Sequence, residues 1–391
     1  MKDDKLGSVF YLSISVVLIF VLWGFFLPHN MAITLQKVLA FITQNFGWFY
    51  LLATIIFVIF IIYMGFGPYS GIKLGSDDDE PEYKFYTWLA MLFSAGMGIG
   101  LVFWGVAEPL SHYLIPPEGV IPETIDAARI ALRYSFFHWG LHPWAIYAVI
   151  GLALAYHGFR KGEPGLISVT FRPLIGDRVN GPIGKGIDGL AVIATVFGVA
   201  TSLGLGALQI NGGLAHLTNI PHTFTIQIII IALVTVLYLL SATTGINKGI
   251  RFLSNLNLTV AAILLLFVLI AGPTLFIIDN FTATIGRYLG NFITMSFRLT
   301  PFIESDWVPS WTLFYWAWWI AWAPFVGTFI ARISKGRTIK EFVSGVLFVP
   351  AILATLWFAA FGGTGLYLEM FTGVPIAQAV SQDITSALFI T

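Results

Sequence analysis

The chain has 391 residues, 57% hydrophobic and 10% charged, and its mean hydropathy is +0.85. Soluble domains carry nearer a quarter charged residues, so this reads as an all-α polytopic membrane protein. The 20 basic and 20 acidic residues cancel, which leaves no footprint for nucleic acid, and the lack of cysteine excludes disulfides, thiol chemistry and cysteine-ligated metals.

Nine apolar runs reach the roughly 20 residues a span needs: about 8–27, 47–67, 86–107, 130–156, 186–212, 223–242, 250–277, 308–333 and 341–365. The first follows Met1-Lys2-Asp3-Asp4-Lys5. It is too long for a signal peptide and has no small-residue cleavage site, so it reads as a helix. Residues 31–46 read as a short interfacial helix ahead of the second run. Segment 278–300 carries Asp279, Arg287 and Arg298 among apolar residues and reads as an amphipathic helix in the outer interface rather than a tenth span. Of the 20 basic residues only Lys37, Arg129, Arg133, Arg287 and Arg298 fall on the outer side, so the positive-inside rule places the N-terminus in the cytoplasm. Asp77-Asp78-Asp79-Glu80 reads as a solvated acidic turn on the inner side.

The third run is interrupted by Ala95-Gly96-Met97-Gly98-Ile99-Gly100. Three alternate glycines invite the helix to loosen, and unwound backbone at that depth is tolerated only inside protein or beside water. Such a break presents free N–H groups to an anion and free carbonyls to a cation. Ser94 adds a hydroxyl, and Thr195, Thr201 and Ser202 in the fifth run offer further oxygen ligands. Gly96-x-Gly98-x-Gly100 is no nucleotide loop, since no strand precedes it. Gly198, Gly204 and Gly206 read as close helix packing. An ionisable group inside a span is a functional hypothesis by default. Glu108, His138 and Asp188 nevertheless read more simply as caps or buried hydrogen bonds. No catalytic order of residues and no metal-ligand spacing stands out, so the chain does not read as an enzyme.

Aromatic spacing says more. Trp139, Trp144 and Tyr147 lie at i, i+5 and i+8 of the fourth run, on one broad face at about 100° per residue, and Pro143 loosens the turn between them. In the eighth run Tyr315, Trp318, Trp319 and Trp322 follow i, i+3, i+4 and i+7, a narrow stripe. Core packing or an interfacial belt is the ordinary reading of tryptophan in a membrane helix. This stripe runs two turns into the membrane with no acid beside it. It suits a quaternary ammonium ligand, which donates no hydrogen bond and gains about 2 kcal/mol from each desolvated cation–π contact. The missing acid also suits a zwitterion that brings its own carboxylate.

Gly96-Met97-Gly98-Ile99-Gly100, Ala107-Glu108-Pro109, Phe137-His138-Trp139 and the run from Phe314-Tyr315-Trp316-Ala317-Trp318-Trp319 through Ala331-Arg332-Ile333-Ser334-Lys335-Gly336-Arg337 resemble the betaine/choline/carnitine transporter family. The likeness extends over essentially the whole chain. It implies a broken-helix inverted-repeat (5+5) fold with two extra N-terminal helices, about nine of its twelve helices falling within these residues. The leading helices would occupy 1–85, the first repeat 86–277, an outer-face helix and loop 278–307, and the second repeat would begin in 308–391 and be cut short there.

The resemblance also implies roles. Trp139, Trp144, Tyr147 and Trp319 match the aromatic box around a trimethylammonium group, and Trp318 and Trp322 match tryptophans lining the inward-facing substrate position. Gly96, Met97 and Gly98 match the broken backbone near the substrate carboxylate, with Ser202 offering a hydroxyl nearby. Ser94 and Met97 match donors to one Na⁺, and Thr195 and Phe325 match a second Na⁺ position. Val199 stands there where a threonine is expected, which weakens the match. Gly100 resembles the sodium-coupled betaine members, since proton-coupled choline members tend to carry an acid at that place. The expectation is a sodium-coupled importer of glycine betaine or a related osmolyte in a bacterial plasma membrane, surrounded by lipid, assembling as a homotrimer and needing no cofactor beyond Na⁺. The alternatives are a proton-coupled choline transporter and, in another class, a membrane sensor or channel with an aromatic cage.

Overall fold

The computed structural model describes residues 7–96, 98–243 and 251–391. Met97 lies outside them, as do Lys2, Lys5 and Lys248. Among the described residues the named elements are all helical, and the β-type pairing is an isolated antiparallel bridge between Lys73 and Thr338. Lipid demands this, because a spanning segment must satisfy its own backbone groups.

Helices α1 (Ser8–Phe26) and α2 (Pro28–Phe66) meet at Leu27. Pro28 opens α2, where its missing N–H would be unpaired anyway. At 39 residues α2 also takes in 31–46, so the separate interfacial helix expected there does not form. Gly47 is the weak point at the expected boundary. It is buried against Leu313, whose Cδ1 would lie 2.8 Å from a glycine Cβ, and packing carries the helix through.

Next come α3 (Phe85–Gly96) and α4 (Ile99–Leu114), then α5 (Ile125–Trp139), capped by the Thr124 hydroxyl at 3.2 Å from the Ala127 N–H, and α6 (Leu141–Ala155). The fourth apolar run therefore breaks at Gly140 rather than loosening at Pro143. The two facts are linked, since a proline ring crowds the carbonyl four residues back, here that of Trp139. A Cβ on Gly140 would also lie 2.8 Å from the Tyr288 hydroxyl.

After the short α7 (Arg172–Ile175) follow α8 (Pro182–Leu217), α9 (Phe224–Thr243), α10 (Arg251–Ala271), α11 (Thr274–Gly290) and α12 (Phe292–Ser296). At Gly272-Pro273 the chain turns by 107° between Asn255–Ala271 and Thr274–Gly290. The segment expected to lie across the interface from 278 thus departs from the span at 274. The last elements are α13 (Phe314–Ile333), α14 (Ile339–Val343), α15 (Val349–Tyr367), α16 (Ile376–Gln382) and α17 (Ala387–Ile390).

Among the described residues six helical segments can cross a membrane by length and composition, or up to eight when the two bent pairs each count as one span, against the nine expected; Phe224–Leu240, in the sixth expected run, is a shorter apolar helix. The protein is multi-pass. In α1 only Ser13 is buried, as expected of a helix whose apolar side chains face lipid.

Two compact units, each discontinuous in sequence, share these elements. The first holds the described residues up to Leu89 with Leu141–Val199 and Ser296–Phe348; the second holds Ala90–Gly140, Ala200–Met295 and Val349–Thr391. In the first, α6 lies close along α13: a Cβ on Gly151 would meet the Gly327 carbonyl at 3.3 Å. Small residues at such crossings let membrane helices approach where no hydrophobic drive helps. In the second, α4 packs on α15 through Gly105, where a Cβ would lie 2.6 Å from Trp357 Nε1, and that nitrogen donates to the Leu101 carbonyl at 2.9 Å.

Candidate functional site

In the first unit the close α6–α13 crossing brings together most of the aromatic side chains that the sequence singled out. Trp144 and Tyr147 of α6 meet edge to face at 5.5 Å, and Tyr147 meets Trp319 of α13 at 6.2 Å and 82°. On α13 the Trp318 and Trp319 rings stack at 5.0 Å and 11°, and Tyr315 stacks on Trp319 at 5.9 Å. All five are buried. Neither α6 nor α13 contains an Asp or Glu, so the cluster offers π faces and no fixed negative charge. Trp322 packs on Gly198, where a Cβ would lie 3.2 Å from the indole, and on Phe325 at 5.6 Å. This confirms close packing at Gly198; Gly206 likewise faces Ile99 at 3.4 Å, whereas Gly204 has open space.

Phe325 is 53% exposed, and the Thr195 hydroxyl donates to the Ala191 carbonyl one turn back, at 2.8 Å. Asp188 has the capping role expected of it, accepting from the backbone N–H and hydroxyl of Ser168 at 2.9 and 2.7 Å. In the acidic turn Asp77, Asp78 and Glu80 are exposed, as expected. Asp77 pairs with Arg160 at 2.6 Å, and the guanidinium holds its carboxyl below the ordinary range.

In the second unit the glycine break falls where the sequence placed it. Helix α3 ends at Gly96 and α4 starts at Ile99, with Gly98 extended at its N-terminus (φ −104°, ψ 179°). The first N–H groups of α4 have no intrahelical acceptor, an arrangement suited to an anion. Ser94 and Ser202 are half-buried. The expected donor Met97 lies outside the described residues.

The same unit holds a group the sequence reading saw only in pieces. Glu108 is fully buried, with one oxygen 2.8 Å from His138 Nδ1 and 3.2 Å from His112 Nε2. Its other oxygen accepts from Trp139 Nε1 at 2.8 Å. The buried hydrogen bond expected of Glu108 and His138 is therefore one shared bond. His112 was missed, although it lies one turn beyond Glu108 on the same helix. The three residues could in principle hold a metal ion, their ligand atoms lying within 4.8 Å of one another. Both imidazoles, however, approach a single carboxylate oxygen at hydrogen-bond distance instead of converging on a common centre.

Residues 8–391 match the family described as BCCT, betaine/carnitine/choline family transporter. The chain is 56% identical over 381 residues to the glycine betaine transporter OpuD of Bacillus subtilis, covering 97% of this chain and 74% of that protein. It is 49% identical to a probable glycine betaine transporter of Desulfitobacterium hafniense, with 99% and 77% covered. It is 50% identical to an ectoine/hydroxyectoine transporter of Virgibacillus pantothenticus, with 100% and 78% covered. With the breaks and aromatic helices that the structure displays, these matches establish that the chain belongs to the betaine/carnitine/choline transporter family, whose members are membrane transporters and not enzymes.

Proposed function

We propose that this protein is a secondary transporter that imports glycine betaine with Na⁺ across a bacterial plasma membrane, as protection against osmotic stress. The observation that carries this reading is the buried, acid-free aromatic cluster of Trp144, Tyr147, Tyr315, Trp318 and Trp319. A quaternary ammonium group binds by desolvated π faces, and with no acid present the net-neutral zwitterion is preferred over cationic choline. The relatives' names support glycine betaine first. The Virgibacillus relative supports ectoine as the second reading, another compact solute that pairs a delocalised cation with a carboxylate.

For the carboxylate and the coupling ion, the reading uses the break after Gly96: backbone N–H groups at Gly98 and the start of α4 take the anion, and carbonyls around Ser94 and Met97 take Na⁺. Gly100 supports sodium over protons, because it places no acid at the break. Thr195 and Phe325 make a weaker second ion position, since Phe325 is largely exposed. The fold proposed for transport is the inverted-repeat one, with the first repeat over 86–277 and the second from 308, rocking in alternating access about the membrane midplane. The basic residues of the inner loops support a cytoplasmic N-terminus, and a homotrimer is the proposed assembly.

Radiolabelled uptake of glycine betaine, ectoine and choline, in cells lacking their own uptake systems, with Na⁺ replaced by K⁺, tests this. Sodium-dependent glycine betaine uptake is expected. Uptake that persists in K⁺ would remove the coupling, and a preference for choline would remove the zwitterion reading.

A further inference from the structure

Glu108 is an ionisable group buried in the second unit. It has no exposed surface, and it receives His138 and His112 on one oxygen and the Trp139 indole on the other. Burying a carboxylate in an apolar span is costly unless its lone pairs are satisfied, and three donors from two helices satisfy it here. Trp139 is the last residue of α5, beside the break at Gly140, so helical continuity does not hold its C-terminal neighbour. Phe358 contacts the ring at 5.4 Å, a contact without the directionality of a hydrogen bond. The 2.8 Å bond to Glu108 is directional and fixes it.

We propose that Glu108 is a positioning residue for substrate recognition: its carboxylate clamps the Trp139 indole by the ring N–H, and His138 and His112 hold the carboxylate in place. The inference rests on the expectation, implied by the family resemblance, that Trp139 belongs to the substrate's aromatic box. It assigns a reason to keep a hydrogen-bond acceptor at this point of a membrane helix, where an apolar side chain would pack at lower cost.

Reach and charge can be separated in the intact transporter by glycine betaine uptake, normalised to protein in the membrane. Glu108→Gln keeps one acceptor oxygen at the same reach, and KM rises less than in Glu108→Asp. Glu108→Asp keeps the charge but withdraws the oxygen by one methylene. KM rises about fivefold or more while the maximal rate per transporter changes less than about twofold, a split that a purely structural lesion would not produce. In a Trp139→Phe background, which has no indole N–H, Glu108→Asp adds less than about twofold, since mutations acting through one contact do not multiply.

An unchanged KM in Glu108→Asp, an equal rise in Glu108→Gln, or multiplying effects in the Phe background would each overturn the clamp. Should Glu108→Asp not reach the membrane, Trp139→Phe alone decides, because an unchanged KM there means the N–H does no positioning. Trp139→Ala separates the two levels. If it leaves KM unchanged, the reading of Trp139 falls and the clamp with it; if Trp139→Ala raises KM and Glu108→Asp does not, the clamp alone falls.

Discussion

Gly327 of α13 lies so near Ile150 of α6 that a Cβ built on it would sit 2.6 Å from Ile150 Cγ2. The crossing sets the distance between the helices that carry Trp144, Tyr147, Trp318 and Trp319, so a side chain here acts on stability and on the aromatic cluster together. Overpacking a filled contact costs about 1–3 kcal/mol. Gly327→Val should lower the thermal midpoint of the detergent-solubilised protein by several degrees. Gly204, with nothing within 4 Å of its Cβ position, is the control: Gly204→Ala should be neutral or mildly stabilising, since alanine is the better helix former. Equal effects at the two sites would contradict the close crossing.

Trp319 stands between the Tyr147 edge and the stacked faces of Trp318 and Tyr315. If it presents a face to a quaternary ammonium group, Trp319→Ala removes a desolvated cation–π contact worth about 2 kcal/mol. That corresponds to more than about a tenfold rise in KM for glycine betaine. Trp319→Phe should fall between, because a smaller face remains. Near-normal uptake affinity in the alanine variant would end the aromatic-box reading.

Much of this was visible in the chain itself, and particular residues show where visibility stopped. Hydropathy located all but one of the expected spans, Phe224–Leu240 falling short, and alternate glycines located the break between Gly96 and Ile99, because both signals are local. Pro143 is a local cue to the loosened turn at Gly140, but the Tyr288 hydroxyl, 2.8 Å from where a Cβ on Gly140 would lie, comes from a distant helix. Helix α2 ran through its expected boundary for the same reason, since Leu313 decides the fate of Gly47. Glu108 and His138 were each legible as intramembrane polar groups. Their bond spans 30 residues, and no periodicity connects them. Trp139 and Trp144 were placed on one helical face, yet the break separates them and they belong to different compact units.

Gly100 is buried in the first turn of α4, where the unpaired N–H groups favour a negative charge. Gly100→Asp would therefore be accommodated electrostatically and would bring a fixed, protonatable charge to the break. The expected outcome is uptake that depends less on Na⁺ and more on external pH than in wild type. Initial rates in Na⁺ and K⁺ media at two pH values measure both. Full sodium stimulation in the variant would show that the glycine run does not set the coupling ion.

Arg332 grips Glu82 with both terminal nitrogens, at 2.7 and 3.1 Å, and holds its carboxyl below the ordinary range. A depressed folded-state pKa stabilises above the ordinary carboxylate range and is lost as pH falls through it. The side chains are 35% and 60% exposed, so solvent limits the contribution to under about 1 kcal/mol. Glu82→Gln should therefore lower the thermal midpoint slightly at neutral pH, progressively less as the pH falls below the ordinary carboxylate range, and less in high salt. A larger loss in acid than at neutrality would reverse the sign of the argument.

Arg337 is a different kind of cation, with only 3% of its side chain exposed. Its guanidinium lies 4.2 Å from the Trp88 ring centre and donates to the Tyr83 carbonyl at 2.8 Å. Trp88 is itself fully buried and donates to the Ser334 hydroxyl at 3.1 Å. The planar fork can stack and donate at once, which an ammonium cannot do, and burial makes the stacking worth about 2 kcal/mol. Arg337→Lys keeps the charge and should still lower the thermal midpoint clearly, more than Glu82→Gln does at any pH. Arg337→Met, which fills the space without a charge, should recover part of the loss, because it leaves no buried ammonium to satisfy. If lysine matched wild type, charge alone would hold this turn and the indole stacking would contribute nothing measurable.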